Sequence, residues 1–328
     1  MPEYIYCGGL RIDYLITAEG QARLREMGGN ALYAAVGARV WSNRVSLLAR
    51  VGENYPTGWL DALKQHGLDT QGVRVVPGQQ DMRTFFAYVD PGTRIDTDPA
   101  FHFARIGLPL PEDLSNYVHS TPGQDDPDHY EPLAVQPDDW PRAFDGARAL
   151  HLSPISIRTQ THLPIRARQA GVAQITADPG ERYMVPRLRS HIEGLLHHVD
   201  VFLPSEMEVR SLLGNVDLWD AAIKFARHGP RIVVIKAGDQ GALVYEREAQ
   251  RRTHVPSYPA RVVDTTGAGD SFCGGFVVGL TETGDAIRAA MYGTVSASFA
   301  IEGYGALYVL QASRSDALAR LRRLERMI

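Results

Sequence analysis

The residues of this chain best suited to chemistry run from Asp264 to Phe272, in the order Asp-Thr-Thr-Gly-Ala-Gly-Asp-Ser-Phe. Three small residues precede an acid, and a helical pattern begins at once, with Phe272, Phe276 and Leu280 repeating every fourth position. The backbone N–H groups of Gly267, Ala268 and Gly269 are then set to converge on one concavity, and the helix N-terminus behind them adds roughly half a positive charge. Gly267 and Gly269 permit positive φ and the close approach of a phosphate. A carboxylate beside such an anion hole repels its ligand unless it has a task there. The task that fits is to take the proton of a hydroxyl as its oxygen attacks phosphorus. The plainer reading makes Asp270 a helix N-cap, a place that Asp fills well. The pair Gly274-Gly275 inside the helix costs on the order of 1–2 kcal/mol in propensity, so something must come close to that face.

These residues need a scaffold, and the pattern supplies one. Short β-rich runs at Tyr4–Cys7, Val45–Ala49, Ala149–Leu152, Val172–Thr176, Val199–Leu203 and Arg231–Ile235 alternate with helical stretches. The helices are expected at Asn30–Trp41, Pro56–His66, Thr159–Ala170, Glu206–Leu213, Leu218–Arg227, Asp270–Thr281, Asp285–Ala300 and Ser313–Met327. Such alternation argues for a layered α/β fold with a mainly parallel sheet. Two segments break it. Arg83–Asp90 and Thr93–Phe103 read as paired strands around a Pro91-Gly92 turn, forming a small separate sheet. Phe85 and Ala87 alternate there with Phe86 and Tyr88, so one pair faces the covered side and the other is open to substrate. The stretch from Ser120 to Pro141, rich in proline and aspartate, is expected to be irregular.

Composition excludes several classes. The chain has 328 residues, 44% hydrophobic and 22% charged, which supports two domains or one large α/β unit. A net charge of -4 is too near neutral for a nucleic-acid binder. Two cysteines, Cys7 and Cys273, make no disulfide framework or Cys-rich zinc site. No stretch is long and apolar enough for a membrane span, and the N-terminus reads as a first strand, not a signal peptide; a cytoplasmic protein is expected. No Gly-x-Gly-x-x-Gly follows the first strand, which argues against a dinucleotide fold. His119, Asp125, Asp126, Asp128 and His129 cluster without metal-ligand spacing and read as a solvated loop. Cys273 reads as a packed small residue, and His197-His198 as a helix-end pair.

The string DTTGAGDSFCGGF at 264–276 resembles the C-terminal signature of the ribokinase-like (PfkB) carbohydrate kinases. The resemblance covers nearly the whole chain: the first strand with Asp13, GGNALYAAVGARVW from Gly28, LLARVGENYPTGWLDALKQHGLDTQGV, and the hairpin VVIKAGDQGALVY at 233–245. It implies one domain over 1–328 with a three-layer α/β/α architecture and a mainly parallel central sheet. A small β lid is implied from about 10–27 and 83–106, and the 119–141 insertion has no clear counterpart in simpler members. By the same resemblance Asp270 is the catalytic base, and Gly267, Ala268 and Gly269 hold the γ-phosphate of ATP. Asp13, Gly28, Gly29, Asn30 and Tyr33 hold substrate. Ser205, Lys236, Gly238, Gly241 and Gly305 border the nucleotide. Glu208 positions Mg²⁺ through water, and Asp264 and Thr265 stand where many members hold a monovalent cation such as K⁺. Two positions depart from the family pattern: Tyr33 and Ser205 replace asparagines. The expected reaction is phosphoryl transfer from ATP to a hydroxyl of a sugar or sugar-derived molecule. The alternatives are a nucleoside kinase, with Tyr33 and Phe85 or Phe86 facing the base, and a ligand sensor without turnover. A homodimer through the lid is the expected assembly.

Overall fold

The apolar run Tyr4–Cys7 forms the first strand, β1, and every residue in it is buried, as a strand covered on both faces must be. The computed structural model describes residues 3–90, 93–119 and 121–327, with nothing described of the side chains of Asp90 and Thr93. The expected Pro91-Gly92 turn, and Ser120 at the start of the insertion, lie outside the described residues. After β1 the chain makes β2 (Arg11–Ile16) and β3 (Ala22–Gly28), then α1 (Asn30–Arg39), β4 (Val45–Gly52), α2 (Trp59–Gln65) and β5 (Asp69–Val76). A second excursion makes β6 (Arg83–Asp90), β7 (Thr93–Ile95) and α3 (Pro99–Arg105). Regular alternation follows: β8 (Ala149–Leu152), α4 (Ile157–Gln169), β9 (Gln174–Ala177), α5 (Arg189–Leu196), β10 (Val201–Phe202), α6 (Glu206–Leu213), α7 (Leu218–Ala226) and β11 (Ile232–Lys236). The chain ends with a hairpin, β12 (Ala242–Glu246) and β13 (Arg251–Val255), and three helices, α8 (Ala268–Thr283), α9 (Ala286–Ala300) and α10 (Arg314–Leu324).

Nine strands form the main sheet in the order β13-β12-β11-β10-β9-β8-β1-β4-β5. Pairing is parallel from β11 to β5, and only β12 and β13 run antiparallel, at one border. The alternation of side chains along β1 divides the interior into two layers. Tyr4 and Tyr6 join a core with residues of α1, α8, α9 and α10. Ile5 and Cys7 join the other core, with α4, α5, α6 and α7. The fold is the three-layer α/β/α arrangement expected.

The layer that carries α8 explains the glycines inside that helix. A Cβ on Gly274 would lie 1.9 Å from the Ala34 carbonyl oxygen of α1, and one on Gly275 would lie 2.3 Å from Ser296 Oγ of α9. What approaches that face is therefore two neighbouring helices. Gly37 of α1 answers in kind: its Cβ would meet the Ser271 carbonyl oxygen at 2.4 Å.

The two excursions form a separate four-stranded lid sheet, β3-β2-β6-β7. The expected second lid strand is corrected here: it stops at Ile95, and 99–105 is helical. Asp98 accepts the Phe101 N–H at 3.2 Å and Pro99 opens the first turn, a combination that starts a helix and denies a strand its donor. This helix packs on the lid's outer face, where Phe85 lies 6.1 Å from Phe103 and 6.2 Å from the Tyr117 ring. On that face Phe85 and Phe103 are buried within the chain.

Residues 121–141 are irregular apart from a 3₁₀ turn at Pro137–Asp139, as expected. They are pinned to the main body all the same. Arg50 grips the buried Asp139 through two bonds of 2.6 and 3.0 Å, Arg74 adds a third at 2.8 Å, and the Thr159 hydroxyl donates to the Val135 carbonyl at 2.6 Å. The acids of this segment act in turns: Asp126 accepts the N–H groups of Asp128 and His129. Among the described residues no group of three or more potential ligands gathers for a metal ion, and no helix is long and apolar enough to cross a membrane.

Candidate active site

Asp178, Ser205 and Lys236 stand at or just past the carboxyl ends of β9, β10 and β11, the edge at which α/β sheets bind ligands. The DTTGAGD segment closes over the same edge. Its turn is braced from within: Asp264 Oδ1 accepts the Thr266 N–H at 2.9 Å and the Thr266 hydroxyl at 2.7 Å. The Val263 N–H ties the segment to the Ile301 carbonyl at the end of α9, at 2.7 Å, and the Ala268 N–H returns to the Thr265 carbonyl at 3.2 Å. Gly267 then takes φ +72°. The first helical bond runs from the Ser271 N–H to the Gly267 carbonyl at 2.8 Å, so the N–H groups of Gly269 and Asp270 come before the helical ladder. Those amides and the positive end of a 16-residue helix lie together, an arrangement suited to an anion.

Asp270 is half-buried on the first turn of α8. Its carboxyl is pushed up to about 7, chiefly by burial and then by Asp178, with Lys236 and Arg94 opposing. Lys236 Nζ is paired with Asp178 Oδ2 and lies 3.6 Å from where a Cβ on Gly269 would stand. The ammonium therefore faces the same place. A group so placed holds a phosphoryl oxygen electrostatically, and an acid titrating near neutrality takes up a proton there.

On the opposite side Asp13 projects from β2 onto Gly28, where any Cβ would sit 1.7 Å from Asp13 Oδ2. Gly29 takes φ +99°, and a Cβ there would strike the Gly9 carbonyl at 2.3 Å. The Asn30 side chain fastens this corner by accepting the Gly9 N–H at 2.8 Å and donating to the Pro154 carbonyl. Asn30 is thus a brace of the acceptor corner. Asp13 is buried, and its Oδ1 has no hydrogen-bond partner. Burial pushes its carboxyl up to about 7; Arg11 opposes, and Asp264 and Asp270 push the same way. Asp13 and the DTTGAGD acids therefore face one another. Tyr33, where the family pattern has asparagine, lays its ring under the turn, 2.1 Å from where a Cβ on Gly267 would be, and burial, with Asp13 and Asp264 adding, pushes its hydroxyl well up.

The nucleotide-side residues divide. Ser205 caps α6 by accepting the Glu208 N–H at 3.3 Å, while Glu208 Oε2 accepts the Ser205 N–H at 2.7 Å. Burial, and then Asp178, push the Glu208 carboxyl up to about 8. Asp178 Oδ1 is buried without a hydrogen-bond partner. Two crowded carboxylates with an unfilled oxygen suit one divalent cation that keeps its waters and phosphate ligands, which is how Mg²⁺ is usually held. Gly238 turns at φ +57° with open space where a Cβ would be, whereas Gly241 is dictated by the hairpin, 2.1 Å from the Val255 carbonyl oxygen. Gly305 has Glu26 of β3 nearest, at 3.8 Å from a Cβ position, and the helical turn it opens packs on α1, α9 and β3. Sequence reasoning passed over Asp178 and Arg94, and it named Tyr88 and Thr266 only as members of a strand face and of the DTTGAGD string, without a role of their own. Asp178 carried a signal, an Asp-Pro pair directly after a predicted parallel strand. Tyr88 carried the alternation it shares with Phe86, which gives a face but not a partner, and Arg94 carried none.

The description "pfkB family carbohydrate kinase" matches residues 144–312, just over half of the chain. The chain belongs to this family. Membership makes it a phosphotransferase enzyme, and other members extend the likeness beyond the matched part. A cytidine kinase of Thermococcus kodakarensis is 27% identical over 281 residues, covering 85% of this chain and 88% of that protein. An ATP-dependent ribose-1-phosphate kinase of Halopiger xanaduensis is 27% identical over 316 residues, covering 94% of this chain and 92% of that protein. The crystal structure of the Vibrio cholerae fructokinase, bound to fructose, ADP and calcium, superposes with a TM-score of 0.72 at 21% identity, covering 98% of this chain and 99% of that one.

Proposed function

We propose that this PfkB-family enzyme transfers the γ-phosphoryl group of ATP to a hydroxyl of a sugar or sugar-derived acceptor, with Asp270 as general base. The observation that carries the reading is the pairing of an acid titrating near 7 with the amides at the start of one helix. Asp13, through its unpartnered Oδ1, and the backbone at Gly28 and Gly29 hold the acceptor's hydroxyls. The lid excludes water, which would otherwise compete as acceptor. Asp270 takes the proton of the attacking hydroxyl. The N–H groups of Gly269 and Asp270 and the Lys236 ammonium meet the charge gathering on the phosphoryl oxygens, while the Ala268 N–H, also expected there, is spent on the Thr265 carbonyl. Glu208 and Asp178 would hold Mg²⁺, which supplies charge neutralisation on the phosphates. Asp264, by its second oxygen, and Thr265 would hold K⁺. Ser205, Gly238 and the hairpin border the nucleotide.

A nucleoside acceptor is the second reading. It is favoured by the cleft-facing side of β6, where Phe86 carries Arg94 at 4.3 Å from its ring centre, a flat surface on which a base stacks. The first experiment is ADP release with Mg-ATP and K⁺ across pentoses, hexoses, keto-deoxy acids and nucleosides, with Asp270→Asn beside the wild type. The expected result is one class of acceptor turned over, with kcat lower by about 10²–10⁴ in the variant and ATP binding retained. Near-wild-type turnover by Asp270→Asn would refute the base assignment, and wild-type silence on every acceptor would refute the kinase reading.

A further inference from the structure

Tyr88 lies on the face of β6 opposite Phe85, and it is buried against the DTTGAGD segment. Its hydroxyl is 2.6 Å from Thr266 Oγ1. The Thr266 hydroxyl proton is directed to Asp264 Oδ1 at 2.7 Å, so the short contact has one consistent direction: Tyr88 donates and Thr266 accepts. The result is a buried relay from the lid, Tyr88 to Thr266 to Asp264, whose middle member is the residue next to Gly267. On the lid side β6 pairs in parallel with β2, and Asp13 stands opposite Thr84 in that register. One continuous set of bonds therefore joins the strand that presents Asp13 to the turn that presents Asp270. The other lid residues directed at the site, Phe86 and Arg94, stack on each other instead.

We infer that Tyr88 is a positioning residue for phosphoryl transfer: its hydroxyl latches the lid to Thr266 and so fixes the separation between the acceptor-holding strand and the anion hole. This rests on the kinase reading above and adds to it the residue that sets the alignment. The physical reason is reach. A hydroxyl acceptor must lie in line with the phosphorus, and a misplacement of about 1 Å costs about 10²-fold in rate. A lid held only by apolar contact with α3 would fix the fold of the lid but not its distance from the turn.

The test is Tyr88→Phe, which keeps the ring and removes only the donor, beside Thr266→Val and the double variant, all in the full chain. With whichever acceptor the wild type turns over, kcat should fall about 10-fold in each single variant, the value of a buried hydrogen bond of ordinary strength. The KM for ATP should stay within about twofold, since the nucleotide side is untouched. The double variant should be no worse than Thr266→Val alone, because that variant already removes the Tyr88 bond together with the Thr266–Asp264 bond. Hydrogen exchange of the β6 amides should quicken in Tyr88→Phe while those of β11 stay unchanged, and this readout needs no turnover. Wild-type kcat in Tyr88→Phe, multiplicative losses in the double variant, or unchanged exchange in β6 would each overturn the latch. If the wild type itself turns over no acceptor, the kinase reading fails while the exchange measurement still decides whether Tyr88 holds the lid.

Discussion

Asp270 and Asp13 have the same unusual property, a carboxyl pushed up to about 7 by burial, and opposite uses for it. A general base works only when ionised, so kcat/KM should rise with pH and level off above about 7. A pH profile from 5 to 9 checks this. Wild-type activity should follow the ionisation of Asp270 together with that of Asp13, and the residual activity of Asp270→Asn should keep only the shallower, single-ionisation rise of Asp13. Asp13 contributes at the same pH by accepting from a substrate hydroxyl, so the rise should be steeper than one ionisation gives. The role of Asp270 was legible in the sequence because its chemistry is local: glycines, an acid and a helix start lie within seven positions. Tyr33 was not legible. Its position in the sequence pointed to the acceptor, and only the packing of α1 on α8 reveals that its ring also lies under Gly267.

At the level of elements, α1, α8 and α9 meet with almost no separation. Gly274→Ala would drive a methyl to 1.9 Å from the Ala34 carbonyl oxygen, and backbone cannot swing aside as a side chain does. The expected cost is about 1–3 kcal/mol, seen as a lower Tm, with kcat falling as the first turn of α8 shifts. The surface substitution Thr283→Ala on the same helix serves as the control and should leave Tm nearly unchanged. Most helices and buried strands were legible from periodicity, and Glu206–Leu213 coincides with α6 to the residue. Residues 99–105 were misread as strand because their aromatic content suits either state; Asp98 and Pro99, which decide it, act through the cap. The lid's strand order was beyond reach, since the pairing of β2 with β6 joins segments about seventy positions apart.

For the whole molecule, the raised carboxyls have a thermodynamic cost. Asp13, Glu131 and Asp270 are each pushed up to about 7, and Glu208 to about 8. Each binds its proton more tightly in the folded chain than in the unfolded one, so the folded state holds more protons between about pH 4 and 8 and stability falls as pH rises through that window. The carboxyls held low, Asp81, Asp113 and Asp139, act in the opposite sense, but only in acid below their ordinary range. The ligand-free enzyme should therefore melt highest near pH 5 and lose Tm steadily to pH 8. Scanning calorimetry across that range checks the slope, and Asp13→Asn should flatten it.

The main sheet does not close on itself. It ends at β13, whose outer backbone groups offer a pairing surface to any strand that arrives. Arg251, Arg252 and His254 stand exposed along it, and Arg251 is further tied to Glu246 at 2.7 Å. A second copy approaching border to border would bring guanidinium groups into line with guanidinium groups. Amyloid-like stacking through this border is thereby resisted by charge, and the protection weakens as salt screens it.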